Sequence, residues 1–390
     1  MSGLPGTMTY LDHNATSPLR PEAGAAMERA LAASGNPSSV HGAGRAARAL
    51  VEDARERVAA LAGGRAQDVI FTSGGSEANT LALRGAIEGA LEAGERITRL
   101  FVCAIEHDSV LANAAALGER VPGLRVETVA VTPTGTVALE ALRVMLREGK
   151  GRALVAVMAA NNETGVVQPT AEISALAKEA GALLFVDAVQ AAGKTPIDFA
   201  ADYLSLSAHK IGAAPGTGAL IVKEGVPCAP QILGGGQERG MRAGTENVSG
   251  IAGFGAAATA ALGELESNSR GAALRDRFER ELRRIAPEAA IFGASVPRLA
   301  NTSNFALPCV SAETAVMALD LDGVMVSSGA ACSSGKVKPS HVLKAMGVPE
   351  ELARRALRVS FGWNSRDDDV DAAIASLAKL IARVQARRAA

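Results

Sequence analysis

Two apolar segments of this chain end on residues that apolar segments rarely need. "ALLFVD" closes on Asp187, with Gln190 three residues on, and "YLSLSAHK" closes on His209 and Lys210. A lysine at the end of a buried strand is expensive to keep charged, so burial lowers its pKa and favours the neutral amine. That amine can form a Schiff base with a carbonyl cofactor or substrate; without neighbours, Lys210 would read as a solvated strand end. A buried carboxylate such as Asp187 needs a cationic partner. A protonated pyridine nitrogen would serve, and holding that proton makes the ring a better electron sink. Gln190 could donate to a ring oxygen or face solvent on a helix. His209 could lie against a cofactor or make only local hydrogen bonds. In "TSGGSEAN", Gly74, Gly75 and Ser76 precede a helix beginning near Glu77. Free N–H groups and the helix dipole make such a junction a cradle for one phosphate.

These residues need elements to bring them together. Between about 68 and 222, strand-like segments ("DVIFT", "RLFVCA", "RVETVAV", "ALVAVMA", "ALLFVD", "YLSLS", "GALIV") alternate with helical stretches such as 77–92 and 170–180. In the latter, Ile173, Leu176, Ala177 and Ala180 share one face. Residues 42–62 read as a helix with Leu50, Val51, Val58 and Leu61 inward. Repeated alternation predicts an α/β fold with a largely parallel sheet between helices. Five strands end in polar clusters: "TSGGSEAN", "AIEHDS", "AANNETG", "VDAVQ" and "SLSAHK". Each alone could be a helix cap. Five along the carboxyl edge of one sheet predict a ligand site. After about 264 the chain turns to charged amphipathic helices with short strands ("TSNFAL", "ALRVSFG"), which predicts a smaller α+β domain.

The 390 residues carry a formal charge of −1 and are 48% hydrophobic but only 3% aromatic, so the core must be built from Ala, Val, Leu and Ile. A near-neutral balance gives no electrostatic footprint for nucleic acid. The uncharged run 247–263 is read as a buried helix rather than a membrane span, and the protein as cytoplasmic. The four cysteines, 103, 228, 309 and 332, form no C-x-x-C and no metal-ligand spacing. Cys103 reads as a buried small hydrophobe. Cys332 lies in "VSSGAACSSGK", a run of small residues that leaves a loop free to move. Lys336 and Lys338 follow it, as suits a reactive thiol, although a free surface cysteine would look the same. "AVQAAGKT" (188–195) ends like a phosphate-binding loop, but Ala188 stands where its first glycine belongs and Pro196 follows directly, so it is rejected as one.

Together the stretches "YLDHNATSPL", "GNPSSVHGAGR", "VIFTSGGSEANTLAL", "EHDSVL", "ANNETGVVQP", "VDAVQAAGKTPID", "SLSAHKIG", "GGGQERGMRAGTENV", "SSGAACSSG" and "LRVSFG" run in order from residue 10 to about 362. On them the chain resembles the cysteine desulfurases, in the class-V aminotransferase branch of enzymes dependent on pyridoxal 5′-phosphate (PLP). The resemblance implies a large PLP-binding domain (15–262) with a mostly parallel mixed sheet. It also implies a small domain (1–14 with 263–390) carrying a mobile cysteine loop (about 327–340). It implies that Lys210 holds PLP as a Schiff base, Asp187 pairs with the pyridine nitrogen and Gln190 with the ring oxygen. His107 would stack on the ring and move protons, and Asn162 would contact cofactor and substrate. Gly75, Ser76, Ser207 and His209 would hold the phosphate, with Thr245 arriving from the other subunit of a homodimer. Arg358 would clamp the substrate carboxylate. The thiolate of Cys332 would take sulfur from L-cysteine as a persulfide and pass it to an acceptor or scaffold protein, for example in iron–sulfur cluster assembly. A selenocysteine lyase or another class-V enzyme is the near alternative, and a non-catalytic sulfur carrier the distant one. Gly75-Ser76 replaces the Ala-Thr common in relatives, and "IGAAPGTGAL" lacks a lysine that relatives often place there.

Overall fold

A computed structural model describes residues 8–265, 269–328, 332, 333, 336, 337 and 339–389. All seven strand segments between 68 and 222 form, and they join one sheet. In chain order they are β1 (Val69–Thr72), β2 (Ile97–Cys103), β3 (Arg125–Val129), β4 (Arg152–Met158), β5 (Leu183–Asp187), β6 (Tyr203–Ser207) and β7 (Gly218–Val222). Across the sheet the order is β1-β7-β6-β5-β4-β2-β3. β7 alone runs antiparallel to its neighbours. β1, β5 and β6 are buried throughout and β4 nearly so, as continuous Val, Ile, Leu and Phe runs require when helices cover both faces. β3, at the edge, keeps Arg125 and Glu127 exposed, which blunts it against pairing with another chain.

On one side lie the helices Gly75–Glu92 and Asp108–Arg120, whose apolar faces form one core with β1, β2 and β6. On the other, Gly42–Leu61, Thr170–Glu179 and Val248–Leu265 form the larger core. Within Gly42–Leu61 the inward face is Ala47, Val51, Ala54, Val58 and Leu61, with Leu50 only half-buried at its margin. Ala180 does not share the inward face of Thr170–Glu179: it is the C-cap residue, one step beyond the last turn, and is exposed. The segment 247–263 is the helix Val248–Leu265, buried against the two N-terminal helices. A Cβ on its Gly255 would stand 2.7 Å from the Cα of Ala54, so glycine permits that approach.

The C-terminal part builds an antiparallel sheet in which Thr302–Ala306 lies between Ala356–Ser360 and Ala290–Ile291. Phe278, Phe305, Phe361 and Leu11 fill its own core. Leu11 belongs there because Thr9–Tyr10 pairs in parallel with Val324–Met325. The chain then passes Asp12 beside Ser360 and carries Asn14, Ala15 and Thr16 to the carboxyl edge of the large sheet.

Candidate active site

The five polar clusters predicted at the carboxyl ends of β1, β2, β4, β5 and β6 converge on one cavity of about 860 Å³. Its wall includes Gly75, Ser76, His107, Asn162, Asp187, Gln190, Ser207, His209, Lys210 and Arg358. Thr245 does not line it; that residue is exposed on the loop between β7 and the helix Val248–Leu265. The Cys332 side chain lies outside the described residues. Both roots of its loop are described, and Ser327, Ser328, Pro339 and Ser340 all border the cavity.

Asp187 is the last residue of β5, fully enclosed. Its Oδ1 accepts from the Val189 N–H at 2.9 Å and its Oδ2 from Asn79 Nδ2 at 2.8 Å. Both donors are neutral. Burial raises the carboxyl's pKa, against which those hydrogen bonds and the charges of His107 and Lys210 pull downward. A cation above the carboxylate would complete this balance. Beneath it lies Glu106, also fully buried, with Oε1 accepting from the Met158 N–H at 2.5 Å. Burial and the neighbouring Asp187 hold Glu106 well above the usual carboxylate range. The pair therefore does not place two full negative charges together.

Lys210 sits one turn beyond β6, half-buried, with Nζ donating to the Asn14 and Ala15 carbonyls at 2.7 Å each. Burial, then the positive charge of Arg358, lowers its pKa to about 8, opposed by Asp12 and Asp187. Roughly a tenth of the amine is thus neutral at pH 7, far more than for an ordinary lysine, as nucleophilic attack on an aldehyde needs. His209 turns its Nδ1 to Thr16 Oγ1 at 3.1 Å, and burial and the two nearby lysines push it down to about 4. It therefore stays neutral.

His107 caps the helix Asp108–Arg120: its Nδ1 accepts from the Ser109 N–H at 3.1 Å and lies 2.8 Å from Ser109 Oγ. In the neutral ring this leaves the proton on Nε2. Asn79 donates to Ser109 Oγ at 2.9 Å as well as to Asp187. One amide thus couples the predicted ring-nitrogen partner to the predicted proton carrier. Asn79 is the closing letter of "TSGGSEAN", and the sequence reading gave it no role.

Arg358 reaches in from the Ala356–Ser360 strand, buried, donating to the Asn162 carbonyl at 2.9 Å and to Asp12 Oδ1 at 2.6 Å. Its guanidinium fork is therefore aimed at a carboxylate already. Asp12 holds the place that the resemblance assigns to a substrate carboxylate, and nothing in the sequence reading marked it.

The aminotransferase class-V family description matches residues 9–373. An IscS-like cysteine desulfurase of Mycobacterium tuberculosis is 42% identical over 388 residues, 98% of each chain. A cysteine desulfurase of Cereibacter sphaeroides is 45% identical over 97% of this chain and 96% of its own. The chain belongs to the cysteine desulfurases of the class-V aminotransferases. In three dimensions it is similar to a NifS-like protein from Rickettsia africae, with a TM-score of 0.86 at 32% identity, covering 96% of this chain and 99% of the other.

PLP is the cofactor of this family, and the cavity of this desulfurase can be tested for it directly. A Cβ at Gly75 would stand 2.9 Å from Val189 Cγ2 and 3.3 Å from Ser207 Cβ, so the helix start closes onto the end of β6 only because no side chain intervenes. A Cβ at Gly218 would fall 2.5 Å from the Gly74 carbonyl carbon. The small residues after Lys210 thus let β7 pass directly under the helix start. That leaves first-turn N–H groups and the Ser76 and Ser207 hydroxyls, a buried carboxylate whose hydrogen bonds come from two neutral donors, and a depressed-pKa amine on one cavity wall. The residues fit a pyridine aldehyde bearing one phosphate. Because the Lys210 amine titrates near 8, capture of added PLP by cofactor-free protein should accelerate as pH rises toward 8 and level off above it. Stopped-flow absorbance at a series of pH values measures this.

Proposed function

We propose that this cysteine desulfurase converts L-cysteine to L-alanine and leaves the sulfur as a persulfide on Cys332. What supports the reading most is that the loop bearing Cys332 is rooted at both ends on the wall of the cavity holding Lys210, Asp187 and Arg358. Cys332 follows Ser328 by four residues, which at about 3.6 Å each keeps its Cα within roughly 15 Å of that wall.

Bound PLP supplies the aldehyde that captures the substrate amine and an electron sink for Cα. Arg358 receives the substrate carboxylate by releasing Asp12, and Asn162 borders the same corner. The Asp187 carboxylate, fixed by Val189 and Asn79, balances positive charge on the ring nitrogen. Lys210 moves the proton at Cα, and His107, with its proton held on Nε2, serves the departing and incoming protons around sulfur. The Cys332 thiolate attacks the substrate sulfur: the Cβ–S bond breaks, its electrons return to carbon with a proton, and an S–S bond forms. One cysteine and one thiol yield one alanine and one persulfide, with no outside oxidant.

The division into 15–262 and 1–14 with 263–390, with the cysteine loop carried by the smaller part, is supported by the separate core of Leu11, Phe278, Phe305 and Phe361, although Phe292, Leu343 and Met346 of that part pack into the larger core. Thr245, exposed away from the cavity of its own chain, completes the phosphate site of a second copy in a homodimer. The sulfur passes to an acceptor or scaffold protein in the cytoplasm, where iron–sulfur clusters are assembled. Incubation with L-cysteine and a thiol reductant should yield alanine and sulfide in equal amounts. Absence of both products would refute the reading. His107→Ala should lower kcat roughly 10²–10⁴-fold if the ring moves protons, whereas an unchanged kcat would reduce it to a stacking surface.

A further inference from the structure

The stretch "AVQAAGKT", rejected above as a phosphate loop, ends on a lysine with a different place. Lys194 follows Gln190 by four residues in a run of turns after β5. Its ammonium donates to Gln190 Oε1 at 2.7 Å and to Asn14 Oδ1 at 3.2 Å. Lys194 itself is half-buried, but both partners are buried, at 5% and 1% exposure. The backbone before it is pinned: Gly193 has φ +70°, and a Cβ there would stand 2.7 Å from Ala261 Cβ and 3.3 Å from Ile211 Cγ2.

An ammonium only donates, so the carbonyl end of Gln190 must face Lys194 and the NH₂ end must face away. One of those two hydrogens goes to the Asn14 carbonyl at 2.9 Å, the carbonyl that also takes Lys210 Nζ. The second is left for an acceptor in the cavity that Gln190 lines. We propose that Lys194 is a positioning residue: it locks the Gln190 amide so that its nitrogen, not its oxygen, is presented to the ring oxygen of the cofactor. This rests on the reading that Lys210 and Gln190 hold PLP. The charged and titratable groups around this corner are Lys210 and Arg358, His13, and, across an adjoining cavity of about 210 Å³, Arg270 and the Arg20–Glu264 pair. Burial, Lys210 and Arg358 bring Lys194 down to about 7, so the donor-only lock on Gln190 acts while the amine keeps its proton, below that pH.

A donor on the ring oxygen stabilises its negative form and so lowers the proton affinity of the Schiff base beside it; a nearby positive charge acts in the same direction. The test is a pH titration of the visible absorption band of purified holoenzyme. Lys194→Met should keep the band and the fold but raise its midpoint by about one pH unit, a tenfold gain in proton affinity. Lys194→Arg should restore much of the original midpoint. In a Gln190→Ala background, Lys194→Met should shift the midpoint far less than in the parent, because the two act in series. An unchanged midpoint in Lys194→Met, or the same shift with and without Gln190, would overturn the proposal. Should Lys194→Met not fold, Lys194→Gln, which removes the charge and keeps a donor, should give a smaller shift of the same sign, and no shift there would likewise overturn it. If the wild-type band is absent, or survives Lys210→Ala, the underlying cofactor reading fails and the proposal falls with it.

Discussion

Lys210→Ala purified with added PLP is expected to lack the visible band of lysine-linked cofactor and to show no turnover of L-cysteine. The expectation has two sources. Among the described residues of the cavity wall, Lys210 is the only lysine, with its pKa lowered to about 8 and its amine tethered to the Asn14 and Ala15 carbonyls. It also stands where a proton must leave and return at Cα, and loss of a positioned proton carrier alone costs about 10²–10⁴ in rate. The variant should still bind PLP reversibly, because the helix start at Gly75, Ser207 and Asp187 are untouched. Fluorescence of bound cofactor together with an alanine assay separates these effects. A variant with full activity would remove Lys210 from the chemistry.

The second large effect is expected at Cys332. Cys332→Ser should retain the visible band and its response to L-cysteine, since every described residue of the cavity wall is unchanged, yet form no persulfide and release sulfide at no more than background. Two of the other cysteines are poor substitutes. Cys103 is fully buried in β2, its thiol pushed far above the ordinary range by burial, and Cys228 is pushed up to about 12 for the same reason. A thiol held in that form is neither nucleophilic nor within reach of an acceptor. Normal sulfide release by Cys332→Ser would exclude it as the nucleophile.

The contrast between these two residues and their neighbours shows what a sequence can carry. Lys210 and Asp187 were legible because each ends an apolar strand, and strand ends on one edge of a parallel sheet must meet. All seven strands were legible for a related reason: runs such as "ALLFVD" have no stable place except a sheet covered on both faces. What stayed hidden depends on contacts between residues far apart in the chain. Asp12 meets Arg358 across 346 positions, Asn14 carries Lys210 across 196, and Asn79 reaches Asp187 across 108. No local period encodes such pairings. Asn14 in particular acts through its backbone carbonyl, which any residue type would supply, so its identity gave no signal. Ala180 was placed on a buried face because helical periodicity does not announce where the helix stops.

The central claim is that sulfur leaves L-cysteine for the Cys332 thiol at a site organised by Lys210. The most direct measurement mixes the holoenzyme with L-cysteine in the absence of reductant, quenches with an alkylating agent and weighs the peptides. The account predicts one extra sulfur atom on the peptide containing Cys332 for each alanine released. Alanine formed while that peptide keeps its original mass, or sulfur appearing instead on Cys103, Cys228 or Cys309, would contradict it.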